Sequence, residues 1–196
     1  KVGMLAGKPA TIQSFLEGKG VESGTMTPAQ CRAMGIVTAR MHKAGESFPL
    51  RRENPMGLAA WKALFEKTKS RAAEVSPHLS SLLSAQLSEI EYYIPRDLPQ
   101  GAIHADLFPD NVFFKDHTLS GIIDFGFSCT DYLAYDLAIV INAWCFDAGY
   151  AFVPENFRAL IQGYESLRRL SPAERESLPL LCRAGALRIL MTRLHD

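Results

Sequence analysis

Several familiar signals are missing from this sequence of 196 residues, and each absence narrows its function. No Walker-type loop occurs, and Gly3 and Gly7 do not form a G-x-G-x-x-G motif. No apolar run approaches a membrane span, and no charged-then-apolar leader opens the chain. Basic and acidic residues both number 21, so no positive excess attracts nucleic acid or an anionic membrane. We therefore expect neither as a partner, while the oligomeric state stays open.

Cysteine is also scarce, and its placement favours a reducing cytosol. The four cysteines form no C-x-x-C pair, are far apart and have apolar neighbours, which predicts buried thiols: Cys31, Cys129, Cys145 and Cys182. Apolar residues make up 47% and charged residues 21%, an ordinary globular composition with enough chain for one substantial core. The sequence has no initiator Met, and we expect it to be a segment of a longer protein.

The most informative stretch is H-A-D-L-F-P-D-N at residues 104–111, followed by I-D-F-G at residues 123–126. H-x-D-x-x-x-x-N followed by D-F-G is typical of kinase-type phosphoryl transfer. In that chemistry Asp106 would accept or orient the proton of an acceptor hydroxyl, and Asn111 and Asp124 would bind Mg²⁺. His104 is expected to hydrogen-bond the loop rather than to take the proton. The alternative is an unrelated loop Asp, turn Asn and strand-ending Asp.

The residues between the two motifs predict a β-hairpin. Residues 112–114 and 119–123 are apolar and favour strands, and the polar residues 115–118 form the turn between them. The start of one antiparallel strand lies beside the end of its neighbour. Asn111 and Asp124 should therefore meet at the open end of the hairpin.

The remaining pattern predicts one strand before a series of helices. The strand covers residues 8–16 and is closed by residues 17–20. Capping boxes at Thr27 and Ser171, together with apolar spacing, predict helices over residues 28–43, 58–75, 76–94, 137–146, 154–170 and 171–194. This order predicts an α+β, protein kinase-like fold: mainly the helical C-terminal lobe, with a small β-hairpin at the active site. Residues 1–22 would be the last strand of the N-terminal lobe and the hinge, and residues 23–196 the helical lobe.

Several polar residues after the second motif are ambiguous. Asp136 could cap a helix or fix the catalytic loop through hydrogen bonds. Asp131 and Tyr132 could contact an acceptor substrate or belong to an ordinary loop. Three arginines of the last helix favour a solvated basic face, with binding of a substrate carboxylate by one of them as the alternative: Arg183, Arg188 and Arg193.

With these motifs and Y-D-L-A at residues 135–138, the chain resembles the aminoglycoside-phosphotransferase and choline-kinase superfamily. The strings at residues 101–114, 136–146 and 186–194 resemble its bacterial homoserine kinases. The resemblance implies transfer of the ATP γ-phosphate to the hydroxyl of L-homoserine, a step toward threonine. It implies that Asp106 is the catalytic base, that Asn111 and Asp124 bind Mg²⁺, and that Asp136 supports the loop. It also places adenine against Phe15, Leu16 and Glu17.

The resemblance also indicates a difference from the family pattern. The phosphate-covering strands and the lysine that contacts the phosphates would precede Lys1, so we expect the longer protein to be the enzyme and this chain alone to be nearly inactive. Two other functions stay open: a kinase of the same fold acting on an aminoglycoside, choline or a sugar, and a kinase-like module that binds without turnover. ATP hydrolysis without an acceptor is a third, minor possibility.

Overall fold

The computed structural model describes residues 2–11 and 14–195. These residues contain six α-helices and three antiparallel strand pairs. The strands are β1 (Val2–Leu5), β2 (Lys8–Thr11), β3 (Gln100–Ile103), β4 (Val112–Lys115), β5 (Thr118–Ile122) and β6 (Cys129–Tyr132). The helices are α1 (Pro28–Ala44), α2 (Leu58–Val75), α3 (Leu79–Tyr93), α4 (Leu133–Trp144), α5 (Pro154–Glu165) and α6 (Pro172–His195). The pairs are β1–β2, β3–β6 and β4–β5. This is the α+β, mainly helical architecture that the sequence predicted.

Both capping boxes form as predicted and set the start of α1 and α6. The Gln30 amide donates to Thr27 Oγ1 over 3.3 Å, and the Thr27 amide donates to Gln30 Oε1 over 2.9 Å. Ser171 and Glu174 make the same reciprocal pair, with distances of 3.2 and 2.9 Å. Each box provides hydrogen-bond acceptors for two backbone amides that have no partner within the helix.

The predicted strand over residues 8–16 is wrong in length and in number. Strand β2 ends at Thr11 and pairs with β1 in a hairpin, so two strands precede the helices. Ala6 and Gly7 form the turn with φ angles of 50° and 74°, a tight reversal that the sequence analysis did not recognise. Residues 12 and 13 lie outside the described residues, and residues 14–17 have no regular structure.

Three helix boundaries differ from the sequence prediction by three residues or more. Helix α4 begins at Leu133, one turn before the predicted start, while α3 begins at Leu79 and α5 ends at Glu165. The apolar stripe of α3 is only partly core: Leu83 is buried, but Leu82 is 55% exposed. Element boundaries are weakly encoded, since the last turn of a helix depends on its packing.

The cysteines are free thiols, and all but Cys182, which is half-buried, are buried. Burial raises the pKa of Cys31 and of Cys182 to about 12, so both stay protonated at neutral pH. Within residues 2–11 and 14–195, none of the helices combines the length and the apolar character needed to cross a bilayer.

Helices α1 and α5 approach each other closely because two glycines face the partner backbone. A Cβ atom added at Gly35 would lie 2.0 Å from the carbonyl oxygen of Leu160, and one at Gly163 would lie 2.2 Å from that of Arg32. Both distances are far below van der Waals contact, and a backbone carbonyl cannot turn aside as a side chain can.

We expect Gly35→Ala to lower the free energy of unfolding by about 1–3 kcal/mol, since the helices must separate to admit a methyl group. The better helix propensity of alanine, worth about 1 kcal/mol, offsets only part of this loss. Urea unfolding measures the change. Gly185→Ala is the matched control in α6, where the added carbon meets side-chain atoms and the nearest is Asn142 Nδ2 at 3.2 Å. Equal stability of the two variants would contradict this packing argument.

Candidate active site

The two sequence motifs lie at the ends of paired strands. Strand β3 leads into the loop at residues 104–108, and a 3₁₀ turn at Pro109–Asn111 then leads into β4. Strand β6 pairs antiparallel with β3, with Ile103 opposite Cys129. The chain that follows the second motif therefore returns beside the chain that enters the first.

Asp106 lies between an amide on one side and a guanidinium on the other. Its Oδ2 atom accepts a 3.1 Å hydrogen bond from Asn111 Nδ2, which also donates to the Asp106 carbonyl oxygen over 2.9 Å. Its Oδ1 atom lies 3.8 Å from Nη2 of Arg188. Burial raises the pKa of Asp106, and the positive charge of Arg188 counteracts only part of this shift. The carboxylate thus has one oxygen directed toward each neighbour.

Asn111 and Asp124 stand at the open end of the predicted hairpin, and the β4–β5 pair confirms the hairpin itself. The Ile123 amide donates to the Asn111 carbonyl oxygen over 3.0 Å, which closes that end. Because Asn111 Nδ2 is bonded to Asp106, its Oδ1 atom is the one left to face a cation. Asp124 has a left-handed φ of 60° and accepts from the Gly126 amide.

An amide oxygen and a carboxylate are hard ligands of the kind that Mg²⁺ prefers, so these side chains fit the predicted metal chemically. In the described ranges, no cluster of three or more His, Cys, Asp or Glu side chains could hold a metal. A Mg²⁺ site at Asn111 and Asp124 would draw its other ligands from a phosphate group and water.

Asp136 is fully buried in the first turn of α4 and bonds the loop at residues 104–108 rather than capping the helix. Its Oδ1 atom accepts from the Ala105 amide over 2.7 Å, and its Oδ2 atom accepts from the His104 amide over 3.1 Å. His42 Nε2 donates to the same Oδ2 atom over 3.0 Å. Burial by itself would raise the pKa of Asp136, but these hydrogen bonds hold it below the ordinary value. They also fix Ala105 at a φ of 66°, which alanine rarely adopts.

His104 joins the loop to the end of the hairpin, as expected from the sequence. Its Nε2 atom donates to the Ile123 carbonyl over 3.0 Å, and its Nδ1 atom accepts from the Asp106 amide over 3.3 Å. In these contacts Nε2 acts as the donor and Nδ1 as the acceptor. The ring packs against Phe125, with centroids 4.6 Å apart. His104 therefore contacts the Asp106 backbone amide on one side and the Ile123 carbonyl on the other.

The support of the loop continues through residues that sequence reasoning did not connect. His42 Nδ1 accepts from the Tyr164 hydroxyl over 2.8 Å, and Arg168 donates to the same hydroxyl over 3.0 Å. Arg168 also pairs with buried Glu174 at 2.8 Å. His42 and Asp136 are 94 residues apart, so no local motif could have revealed this contact.

The segment predicted to face adenine lies beside the β4–β5 hairpin. Lys19 and Phe114 exchange two backbone hydrogen bonds of 2.9 Å, and Ser120 Oγ donates to the Glu17 carbonyl over 2.6 Å. The Glu17 carboxylate pairs with Lys115. Phe15 is 92% exposed, so its ring is free to contact a ligand. Adenine binding by this segment stays a prediction.

Two separate cavities lie near Asp106 and near strand β6. One of 290 Å³ is lined by Met56, Asp106, Phe108, Asp110, Phe127, Arg188, Ile189, Thr192 and Arg193. The other, of 430 Å³, includes Asp131 and Tyr132 and shares no lining residue with the first. Asp131 accepts a 2.6 Å hydrogen bond from Asn54, and the Tyr132 hydroxyl donates to the Pro95 carbonyl. The structure therefore does not bring Asp131 and Tyr132 into the Asp106 cavity.

The three arginines of α6 have different environments, so the prediction of one solvated basic face is wrong for Arg188. Arg183 pairs with Glu89 at the surface over 2.8 Å, and Arg193 is exposed. Arg188 is only 5% exposed and faces Asp106. Helix α6 therefore brings a buried positive charge to the loop at residues 104–108, a contact that sequence spacing could not show.

The chain is similar to known proteins along its whole length. The model of a family described as "Phosphotransferase enzyme family" matches residues 1–170. A homoserine kinase of Allorhizobium ampelinum is 50% identical over 195 residues, covering 100% of this chain and 60% of that protein. One of Rhizobium meliloti is 48% identical over 195 residues, covering 100% and 59%. The chain thus spans about 60% of the length of these curated relatives.

Solved structures of related fold lie further away in sequence. An amicoumacin kinase in complex with AMP-PNP, Ca²⁺ and Ami matches with a TM-score of 0.66 at 16% identity, covering 89% of this chain and 54% of that one. A Plasmodium vivax ethanolamine kinase matches with a TM-score of 0.62 at 16% identity, covering 100% and 59%. At these identities the likeness establishes a common fold.

Proposed function

Since the chain belongs to the phosphotransferase enzyme family, we propose that the protein containing it phosphorylates the side-chain hydroxyl of L-homoserine with ATP. The observation that carries this proposal is the identity of about 50%, along the full chain, with proteins named homoserine kinase. The product would be O-phospho-L-homoserine, a precursor of threonine. The loop geometry supports the reaction class, because one partly buried carboxylate faces a cavity beside two oxygen ligands.

In this proposal Asp106 is the catalytic base. The acceptor hydroxyl lies against its carboxylate and loses its proton to it, while the hydroxyl oxygen bonds to the γ-phosphorus and ADP leaves. The Asn111 amide holds one oxygen of Asp106, and Asp136 and His104 hold the loop backbone. Their part is positioning, because a base misplaced by 1 Å can lose orders of magnitude in rate.

Asn111 and Asp124 would hold Mg²⁺, which when bound neutralises charge on the phosphates. The amicoumacin kinase was solved with AMP-PNP and Ca²⁺, and a nucleotide with a divalent cation is what we propose here. Phe15, Leu16 and Glu17 would face adenine. In this arrangement residues 1–22 complete an N-terminal lobe and hinge, and residues 23–196 form the helical lobe. The free thiols suit a reducing cytosol.

Acceptor specificity tests this function in the whole protein. ADP release is measured with Mg²⁺, ATP and one of four acceptors: L-homoserine, L-serine, choline or kanamycin. We expect kcat/KM for L-homoserine to exceed that for each other acceptor by at least about 100-fold, because serine is one methylene shorter and the others lack an amino-acid carboxylate. Omission of Mg²⁺ should abolish turnover.

Other outcomes would replace the proposal. Preferred turnover of choline or kanamycin would keep the phosphotransfer chemistry and discard homoserine. Nucleotide binding without turnover of any acceptor would favour a binding module.

Asp131 and Tyr132 remain predictions for acceptor contact, although they line the neighbouring cavity. If Asp131 binds the acceptor ammonium group, Asp131→Asn raises KM for L-homoserine and leaves KM for ATP unchanged.

A further inference from the structure

Arg188 carries a buried charge for which the described residues provide little compensation. The residue is 5% exposed, and within residues 2–11 and 14–195 its Nε atom has no hydrogen-bond partner. The Asp106 carboxylate is 3.8 Å from its Nη2 atom, an ion-pair distance but longer than a hydrogen bond. A buried guanidinium with an unpartnered Nε atom and an ion pair as long as 3.8 Å is costly to the fold, so it favours a ligand that supplies acceptors.

The cavity beside Arg188 is the one that contains Asp106, and the two oxygens of that carboxylate point to different sides. The Oδ2 atom is bonded to Asn111, on the side of the proposed metal ligands. The Oδ1 atom faces Arg188 within the 290 Å³ cavity, which Arg193 also lines. The cavity is also lined by Asp110, so its two aspartates balance its two arginines in formal charge. An acceptor that approaches Oδ1 therefore meets a guanidinium beside a carboxylate, and an anionic group on that acceptor is attracted to the arginine side.

We propose that Arg188 binds the carboxylate of the amino-acid acceptor while the acceptor hydroxyl meets Oδ1 of Asp106. The inference rests on the proposed function and names the group that selects its substrate. In L-homoserine four bonds separate the hydroxyl oxygen from the carboxylate carbon, a reach of about 5 Å when extended. Because Oδ1 and Nη2 are 3.8 Å apart, one small molecule can contact both. Guanidinium and carboxylate form paired hydrogen bonds that no neutral group can replace.

A simpler role for Arg188 is to balance the charge of Asp106. If Arg188 had only that role, its replacement would change kcat/KM for every acceptor by the same factor, because only the reactivity of Asp106 would change. Carboxylate binding acts only on acceptors that have a carboxylate. The two roles are separated by comparing L-homoserine with 3-amino-1-propanol, which keeps the hydroxyl, the chain length and the amino group.

The experiment measures kcat/KM for both acceptors in the whole protein at about pH 8, several units above the ordinary pKa of an aspartate. The variants are Arg188→Met, which keeps bulk without charge, and Arg188→Lys, which keeps charge without the planar fork. Arg183→Met is the control, because Arg183 lies on the same helix but pairs with Glu89 at the surface. Thermal unfolding of each variant is followed in parallel. The readout is the ratio of the two kcat/KM values, in which effects through Asp106 cancel.

We expect the unsubstituted protein to prefer L-homoserine by at least about 100-fold and Arg188→Met to lose most of that preference. Its kcat/KM for L-homoserine should fall about 10²–10³-fold, while that for 3-amino-1-propanol changes by less than about fivefold. Arg188→Lys should recover part of the ratio, and Arg183→Met should keep all of it.

An unchanged ratio in Arg188→Met, with L-homoserine still turned over, overturns the carboxylate assignment and leaves the proposed function in place. Absence of L-homoserine turnover in the unsubstituted protein overturns both. If Arg188→Met does not fold, Arg188→Lys decides: partial loss of the ratio supports the assignment, and an unchanged ratio overturns it. Equal use of the two acceptors by the unsubstituted protein also overturns it, because no carboxylate is then recognised.

Discussion

Replacing Asp106 with asparagine is expected to lower kcat by a factor of about 10²–10⁴, with little change in KM for ATP. The amide has the size of the carboxylate and can still accept the hydrogen bond that Asn111 donates over 3.1 Å, so the loop should keep its shape. It cannot take up a proton at neutral pH. The loss would therefore affect the chemical step rather than nucleotide binding.

Steady-state kinetics and nucleotide titration of Asp106→Asn check this result. Asp116→Asn is the matched control, since it makes the same chemical change in the exposed turn of the nearby hairpin, where its positive φ of 48° suits asparagine. Near-normal turnover in Asp106→Asn would remove Asp106 from the role of base and leave it as an orienting group at most.

Replacing Asp136 with asparagine should destabilise the protein more than Gly35→Ala, and we expect it to lower the free energy of unfolding by about 3 kcal/mol or more. Asp136 is wholly buried, and its two oxygens accept from His42 and from the amides of His104 and Ala105. In the variant one oxygen becomes an NH₂ group that faces a donor. The loop would lose an anchor, so kcat should fall as well.

Urea unfolding between pH 3 and pH 7 tests the role of Asp136. Its pKa is below the ordinary value in the folded state, so the stabilisation is complete above the unfolded pKa of about 3.9 and is lost as the pH falls through the folded value. The decrease in the free energy of unfolding at acid pH should be smaller in Asp136→Asn, whose side chain does not titrate. Asp97→Asn, at an exposed position, serves as control. Equal acid dependence in all three proteins would contradict the assignment.

The sequence predicted best those features that short-range patterns encode. The capping boxes at Thr27 and Ser171 predict the starts of α1 and α6, because a capping box needs only four consecutive residues. The β4–β5 hairpin follows from two apolar runs around a polar turn, and it brings Asn111 and Asp124 to one end without any long-range information. The metal and base assignments remain predictions, but the backbone that they require could be inferred from 23 residues.

Features that depend on distant contacts could not be predicted in this way. Asp136 was equally compatible with a helix cap and a loop anchor until α4 was seen to start at Leu133. Arg188 resembled Arg183 on a helical face, although one is buried against Asp106 and the other lies at the surface. The β1–β2 hairpin was missed because Ala6 at a positive φ is an uncommon turn residue.

The hydrogen bonds behind the catalytic loop also imply an order of events during folding. Ala105 bonds Asp136, Asp136 bonds His42, and His42 bonds Tyr164, across sequence separations of 31, 94 and 122 residues. Contacts between residues so far apart form only after the chain between them has closed its loops. The loop should therefore reach its final shape late, after α1, α4 and α5 have met. The amide hydrogens of His104 and Ala105 would then report in exchange experiments on the assembly of the whole helical core.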